Sequence, residues 1–251
     1  HAGPDVCGLA CANMVDFVLE REGDIAAIIA EPMRAVPYVP PQGFWAQVRD
    51  ACNRHGALLI MDEIPTGLGK TGKMFAFEHD EVVQDIVTLG KALGGGILPI
   101  AAVVARHDLD VCGDYAIGHY THEKNPVTAR AALTTIEIIE DEGLVERSAE
   151  LGARAINRLC ETLADCAIVG DIRGRGLMFG IEIVQDRDAK IPGNDLAEMI
   201  YYRCLDAGLS FKISQGCVLT LSPPLTIGRD DLDLALGIIE NTIAAVAASG
   251  Q

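Results

Sequence analysis

The stretch Ala57-Leu58-Leu59-Ile60-Met61-Asp62-Glu63-Ile64-Pro65-Thr66-Gly67 is an apolar run that stops abruptly at two carboxylates. A run of that length and composition predicts a strand buried on both faces, with Asp62 at its C-terminal end. In open α/β sheets, ligands bind outside the carboxyl ends of the strands. A second run, Ile86-Val87-Thr88-Leu89, leads through Gly90 to Lys91 and then to Ala92-Leu93-Gly94-Gly95-Gly96. Glycines let the backbone approach a ligand closely. A lysine just past an apolar strand can be desolvated, which makes its amine a usable nucleophile. Spacing alone leaves duller readings open. A strand-end Asp also caps turns, and a lysine among glycines is also an ordinary solvated side chain.

Outward from these two runs, residues 11–22 predict an amphipathic helix with Met14, Val15, Val18 and Leu19 on one face, closed by Gly23. Residues 25–30 predict a buried strand that Pro32 stops. Residues 43–55 predict a helix with Phe44, Trp45, Val48 and Ala51 inward, and residues 99–105 a further strand. This alternation predicts a mostly parallel sheet with helices on both faces. Asn125-Pro126 reads as an N-cap followed by proline at the first helical position, opening a helix that runs to residue 141. The domain change falls before the long helix of residues 144–165, giving an α/β domain over 1–143 and a small α+β domain over 144–251. In the latter, residues 170–184 read as a glycine-rich lead and tight turn into a half-buried strand. Helices at 196–207 and 230–248 and a strand at 217–221 complete it.

The chain has 251 residues, 49% of them apolar, enough for a sizeable core. Its net charge of −16 argues against nucleic acid and anionic membrane as partners. Eight cysteines lie scattered through apolar segments without a CxxC pair or a second ligand pair at zinc spacing. They read as reduced, mostly buried thiols of a cytoplasmic protein, with no metal site. His119 and His122 lack a carboxylate-rich frame and read as structural. No apolar run is long enough to span a bilayer.

The ordered set Asp62-Glu63-Ile64, Thr66-Gly67, Gly69-Lys70-Thr71-Gly72, Asp85-Ile86 and Leu89-Gly90-Lys91-Ala92-Leu93-Gly94-Gly95-Gly96 resembles the class III aminotransferase family over nearly the whole chain. These are fold-type I enzymes that use pyridoxal 5′-phosphate. The resemblance implies that Lys91 is the Schiff-base lysine, that Asp62 pairs with the cofactor's ring nitrogen, and that Ile64 packs on one ring face. Thr121, in Thr-x-x-x-Asn-Pro, would reach the cofactor phosphate of a neighbouring subunit, which implies a homodimer with shared sites. The family's N-terminal part, with its phosphate-binding loop and stacking aromatic residue, has no counterpart here, so a fragment or a processed chain is expected.

Three departures from the family pattern bear on the substrate. Many members have a glutamine near the cofactor's phenolic oxygen where this chain has Pro65, and many ω-aminotransferases have a glutamate where Val36 stands; separately, many members have a glutamine where Arg34 stands. Arg34 is either an anchor for an anionic substrate group or a partner in a salt bridge. Many members also bind the substrate carboxylate through an arginine just before a Pro-Pro turn, where this chain has Thr220. The C-terminal third is most similar to the dialkylglycine decarboxylases and amino-lactam racemases of the family. The expected activity is amino-group transfer between an amine or amino acid and a keto acid. The alternatives are a racemase, decarboxylase or ammonia-lyase using the same cofactor, or a truncated chain that holds no cofactor and is not an enzyme.

Overall fold

The computed structural model describes residues 7–115 and 121–249. The chain divides into two compact units. One holds the residues up to Met33 together with Pro40–Leu68 and Met74–Glu142; the other holds Arg34–Val39, Gly69–Lys73 and the chain from Gly143 onward.

In the first unit, β1 (Ala27–Ala30), β2 (Leu58–Asp62), β3 (Ile86–Leu89) and β4 (Ala102–Ala105) lie in that order in one sheet. β1, β2 and β3 are parallel, whereas β4 runs antiparallel on the edge beside β3. Helices α1 (Ala10–Glu22) and α2 (Phe44–His55) pack together and onto one face of the sheet, burying Leu19, Trp45, Val48 and Cys52 against Leu59 and Met61. Each large side chain buried this way contributes about 2 kcal/mol. Both helices end at glycines with φ near +70°, Gly23 and Gly56, whose N–H groups close the last turn on Leu19 and Cys52. The indole of Trp45 donates to Pro32 O at 2.8 Å, which ties the end of β1 to α2.

At the opposite end of the strands, Asp85 enters β3 as a buried carboxylate. Its Oδ2 accepts from the Leu59 amide at 2.7 Å and from Arg49 at 2.8 Å, and its Oδ1 accepts from Arg106 at 2.6 Å. Burial works against ionisation of Asp85, but the Leu59 amide and the two guanidinium groups outweigh it and hold its pKa below the usual carboxylate range.

The unit is α/β as expected, three of its four strands being parallel. Strand register puts Ile29, Ile60, Asp62, Ile86, Thr88 and Val103 on the face away from α1 and α2. There Ile29 is 61% exposed and Val103 69% exposed. Helix α3 (Pro126–Asp141) opens as the sequence indicates, with Asn125 Oδ1 accepting from the Val127 amide at 2.9 Å and Pro126 in the first turn.

The second unit is an antiparallel sheet backed by three helices: α4 (Leu144–Thr162), α5 (Asn194–Asp206) and α6 (Arg229–Ser249). Its strands are β5 (Val169–Arg175), β6 (Met178–Asp186), β7 (Ile191–Pro192), β8 (Lys212–Ser214) and β9 (Val218–Leu221), with order β5-β6-β9-β8 and β7 against β6. Leu159, Phe179, Ile181, Ile200, Leu219, Leu236 and Ile239 form the core. The glycine-rich lead into β6 is itself strand β5, so residues 169–186 form a hairpin, and β8 is an edge strand the sequence pattern does not announce. A Cβ on Gly152 of α4 would sit 2.0 Å from Gly176 O, so helix and hairpin turn meet backbone to backbone. Of the eight cysteines only Cys52, Cys204 and Cys217 are buried, fewer than the apolar flanks suggest, and none is in a disulfide.

Candidate active site

The site grows from the carboxyl ends of β2 and β3. Asp62 and Thr88 are register partners across these strands. The Thr88 hydroxyl donates to Asp62 Oδ1 at 3.0 Å, and the Ile64 amide donates to the same oxygen at 3.1 Å. Both bonds fall on Oδ1, which fixes the carboxylate plane. The ladder continues one residue further, with the Glu63 amide on Thr88 O at 3.0 Å. The chain then turns, and the Thr66 and Gly67 amides return to Glu63 O.

Glu63 is 1% exposed. Its Oε2 accepts from the Thr66 hydroxyl at 2.5 Å and its Oε1 from the Phe77 amide at 2.9 Å. Burial pushes its pKa up, against the pull of the Thr66 hydroxyl and the Phe77 and Ala76 amides. Ile64 lies against the end of β3, because a Cβ on Gly90 would meet its side-chain carbons at 3.5 and 3.6 Å. Pro65 follows in the same turn, partly exposed.

Gly90 is extended, with φ −177°, and Lys91 then adopts φ +44° as the first residue of a short 3-10 helix, Lys91–Gly94. A side chain in this left-handed region costs about 1 kcal/mol or more, and such strain gathers at functional sites. Gly95, at φ +68°, ends the 3-10 helix with its amide on Ala92 O. Lys91 is exposed. Thus Asp62, Ile64, Pro65 and Lys91 belong to one unit and one end of its sheet. Their donor set fits the expected group: a fixed carboxylate for a protonated ring nitrogen, an apolar side chain for a ring face, and a solvent-accessible amine for an aldehyde.

Thr121 is exposed in the turn ahead of α3, as is His122; His119 lies outside the described residues. Arg34 and Thr220 belong to the second unit. Arg34 starts a closed turn, its amide donating to Tyr38 O at 3.2 Å, and its side chain is exposed without an ion pair among the described residues. Tyr38 is held in place, with the Arg173 guanidinium 4.1 Å from its ring centroid and its hydroxyl donating to Gln215 at 3.0 Å. Thr220 is buried in β9, with its hydroxyl donating to Ser214 Oγ at 3.0 Å.

Four polar residues with defined positions carried no role in the sequence reading. Thr88 is a hydroxyl inside an otherwise apolar strand, and its alignment with Asp62 emerges only from register. Glu63 and Thr66 are three apart, a spacing that closes a turn. Lys70 is a partly buried lysine in the second unit; it donates to Pro223 O at 2.6 Å, and burial pulls its pKa down to about 8.

Two curated relatives are each 41% identical over 246 residues. One is an (R)-1-hydroxy-2-aminoethylphosphonate ammonia-lyase from Vibrio splendidus, aligned over 98% of this chain and 51% of that protein. The other is a leucine/methionine racemase from Thermococcus litoralis, aligned over 96% and 55%. An aminotransferase structure from Bacillus anthracis superposes with a TM-score of 0.89 at 34% identity, over 94% of this chain and 56% of that one. The chain therefore spans about half the length of the curated relatives it matches. Residues 6–243 match the family described as Aminotransferase class-III, and with these relatives and this fold the chain belongs to the class III aminotransferase family.

Proposed function

We propose that the chain carries the catalytic half of a pyridoxal 5′-phosphate-dependent enzyme that moves an amino group between a primary amine or amino acid and a keto acid. The observation that carries this reading is the pairing of Asp62, fixed through Thr88, with a strained Lys91 three residues beyond Thr88. When bound, the cofactor supplies an electron sink for negative charge at the substrate carbon. Asp62 keeps the ring nitrogen protonated, because a carboxylate beside it favours the charged form. Ile64 would supply the apolar surface for one face of the ring. The Lys91 amine would hold the cofactor's aldehyde and would act as the base and acid that moves a proton at the substrate carbon. Thr121 would hold the cofactor phosphate of a neighbouring subunit, which makes the working form a homodimer; a cytoplasmic location is part of the same reading.

A second reading is elimination of ammonia or racemisation with the same cofactor. Thr220 favours it, because a buried hydroxyl bonded to Ser214 cannot do the work of a carboxylate-binding guanidinium. The ammonia-lyase and racemase among the relatives support it as well. Arg34, exposed and without an ion pair among the described residues, is then the anchor for an anionic group, a phosphonate or phosphate oxyanion included.

The test is an absorbance spectrum with added pyridoxal 5′-phosphate, before and after borohydride. A near-visible band that reduction fixes to Lys91, and that Lys91→Ala lacks, supports the reading. A folded chain with no band refutes it for these 251 residues and leaves the cofactor-free alternative. Keto-acid-dependent consumption of the band separates amino transfer from elimination or racemisation.

A further inference from the structure

We propose that Glu63 is a positioning residue of this site, clamping the turn that carries Asp62 and Ile64 so that Ile64 bears on Gly90 and sets the backbone of Lys91. The inference rests on the reading of Lys91 as the cofactor lysine, but its geometry stands apart from that reading.

Glu63 lies between the two residues that face the ligand. Asp62 and Ile64 point to the site, and Glu63 points into the protein, where it is 1% exposed. Its main chain belongs to the sheet through the Thr88 carbonyl. Its side chain accepts from Thr66 on the returning arm of the turn and from Phe77 in the 3-10 helix Ala76–Asp80. Phe77 packs against the cluster that includes Trp45, Leu59 and Met61, so the carboxylate anchors the turn to the unit's core. Space at the turn is tight, since a Cβ on Gly67 would sit 3.0 Å from Glu63 O and 3.4 Å from Glu63 Cβ. Beyond the Thr88 hydrogen bonds, the turn meets the lysine side through Ile64, whose side chain lies 3.5 and 3.6 Å from where a Cβ on Gly90 would be. A turn freed from Phe77 and Thr66 would let Ile64 withdraw, and nothing in that contact would then hold Gly90 extended and Lys91 at φ +44°.

A purely stabilising carboxylate would affect the turn and the 3-10 helix but not the Lys91 segment. Glu63→Gln keeps the shape and both contacts, with its carbonyl accepting from Phe77 and its amide donating to Thr66. Glu63→Ala removes both. Amide hydrogen exchange of the whole chain, without cofactor, reads out the Leu93 and Gly95 amides, which close the 3-10 helix of Lys91. We expect Glu63→Ala to speed their exchange about tenfold, the worth of roughly one lost hydrogen bond, and Glu63→Gln to leave it near wild type. Unchanged exchange there in Glu63→Ala, with the chain folded, overturns the clamp. Glu63→Gln as disruptive as Glu63→Ala also overturns it, because charge rather than shape would then matter. Should Glu63→Ala not fold, Thr66→Val removes the hydroxyl contact alone and Thr66→Ser restores it. Faster Leu93 and Gly95 exchange in the first and not the second supports the clamp, and no difference refutes it. A parallel titration with pyridoxal 5′-phosphate separates the two ideas. If wild type gives no band, the reading of Lys91 fails while the exchange result still decides on Glu63.

Discussion

The Thr88 hydroxyl donates to Asp62 Oδ1 at 3.0 Å across the parallel pairing of β2 and β3. The bond sets the plane of a carboxylate on one strand from a side chain on the strand that delivers Lys91. Thr88→Val keeps the branched shape and deletes the donor, whereas Thr88→Ser keeps the donor. We expect Thr88→Val to lower unfolding free energy by about 1 kcal/mol and to weaken pyridoxal 5′-phosphate retention, and Thr88→Ser to behave as wild type in retention. Denaturant melts and an absorbance titration measure the two effects, and equal retention in Thr88→Val removes Thr88 from the site.

Lys91 is held at φ +44°. Glycine adopts that conformation without a Cβ clash, and alanine does not. Lys91→Gly is therefore expected to be about 1 kcal/mol more stable than Lys91→Ala, with both losing borohydride-trapped cofactor. The comparison needs only thermal melts of the two variants. The same stability in both would show that the lysine backbone is relaxed.

Asp85 gives the acid limb of stability its sign. Its folded pKa lies below its unfolded one, so its contribution is complete above the unfolded value near 3.8 and is lost as pH falls through the folded value. Asp85→Asn leaves Arg49 and Arg106 without their carboxylate and is expected to cost about 3 kcal/mol at neutral pH, with a flatter loss of stability on acidification. Unfolding free energies across the acid range test this; parallel curves for the two proteins would rule Asp85 out.

Lys70 acts at the other end of the scale. Burial lowers its pKa from 10.5 to about 8, so the unfolded chain binds more protons than the folded one between those values. Stability from this group is present above the unfolded pKa and is lost as pH falls through about 8. The wild-type chain should gain up to about 3 kcal/mol from pH 8 to 10.5 relative to Lys70→Met. A pH-independent difference between the two would show that Lys70 titrates normally.

The residues proposed to bring chemistry were legible in the sequence where that chemistry leaves a local pattern. An apolar run ending in Asp62 and one ending in Gly90-Lys91 are such patterns, and so is Asn125-Pro126 at the start of α3. The support around them was not legible. The alignment of Thr88 with Asp62 depends on strand register, and the contact of Glu63 with Phe77 on a chain reversal, neither of which periodicity encodes. The antiparallel course of β4 was missed because an edge strand of small and β-branched residues reads alike in either direction. The hairpin of β5 and β6 was half missed because Gly170, Gly174 and Gly176 suggest a loop, whereas Gly174 and Gly176 make room for close backbone approaches within strand and turn.

The sheet face that shows Ile29 and Val103 has a colloidal consequence. Its outer strands β1 and β4 are edges among the described residues, and unpaired edges beside apolar side chains invite one molecule to stick to the next. Against that stands a net charge of −16, which makes molecules repel over a range set by the ionic atmosphere. That range is about 10 Å at 0.1 M salt and about 3 Å at 1 M. Dilute buffer should therefore keep the purified chain dispersed, and concentrated salt should cloud it: the reverse of a protein whose association is held together by ion pairs.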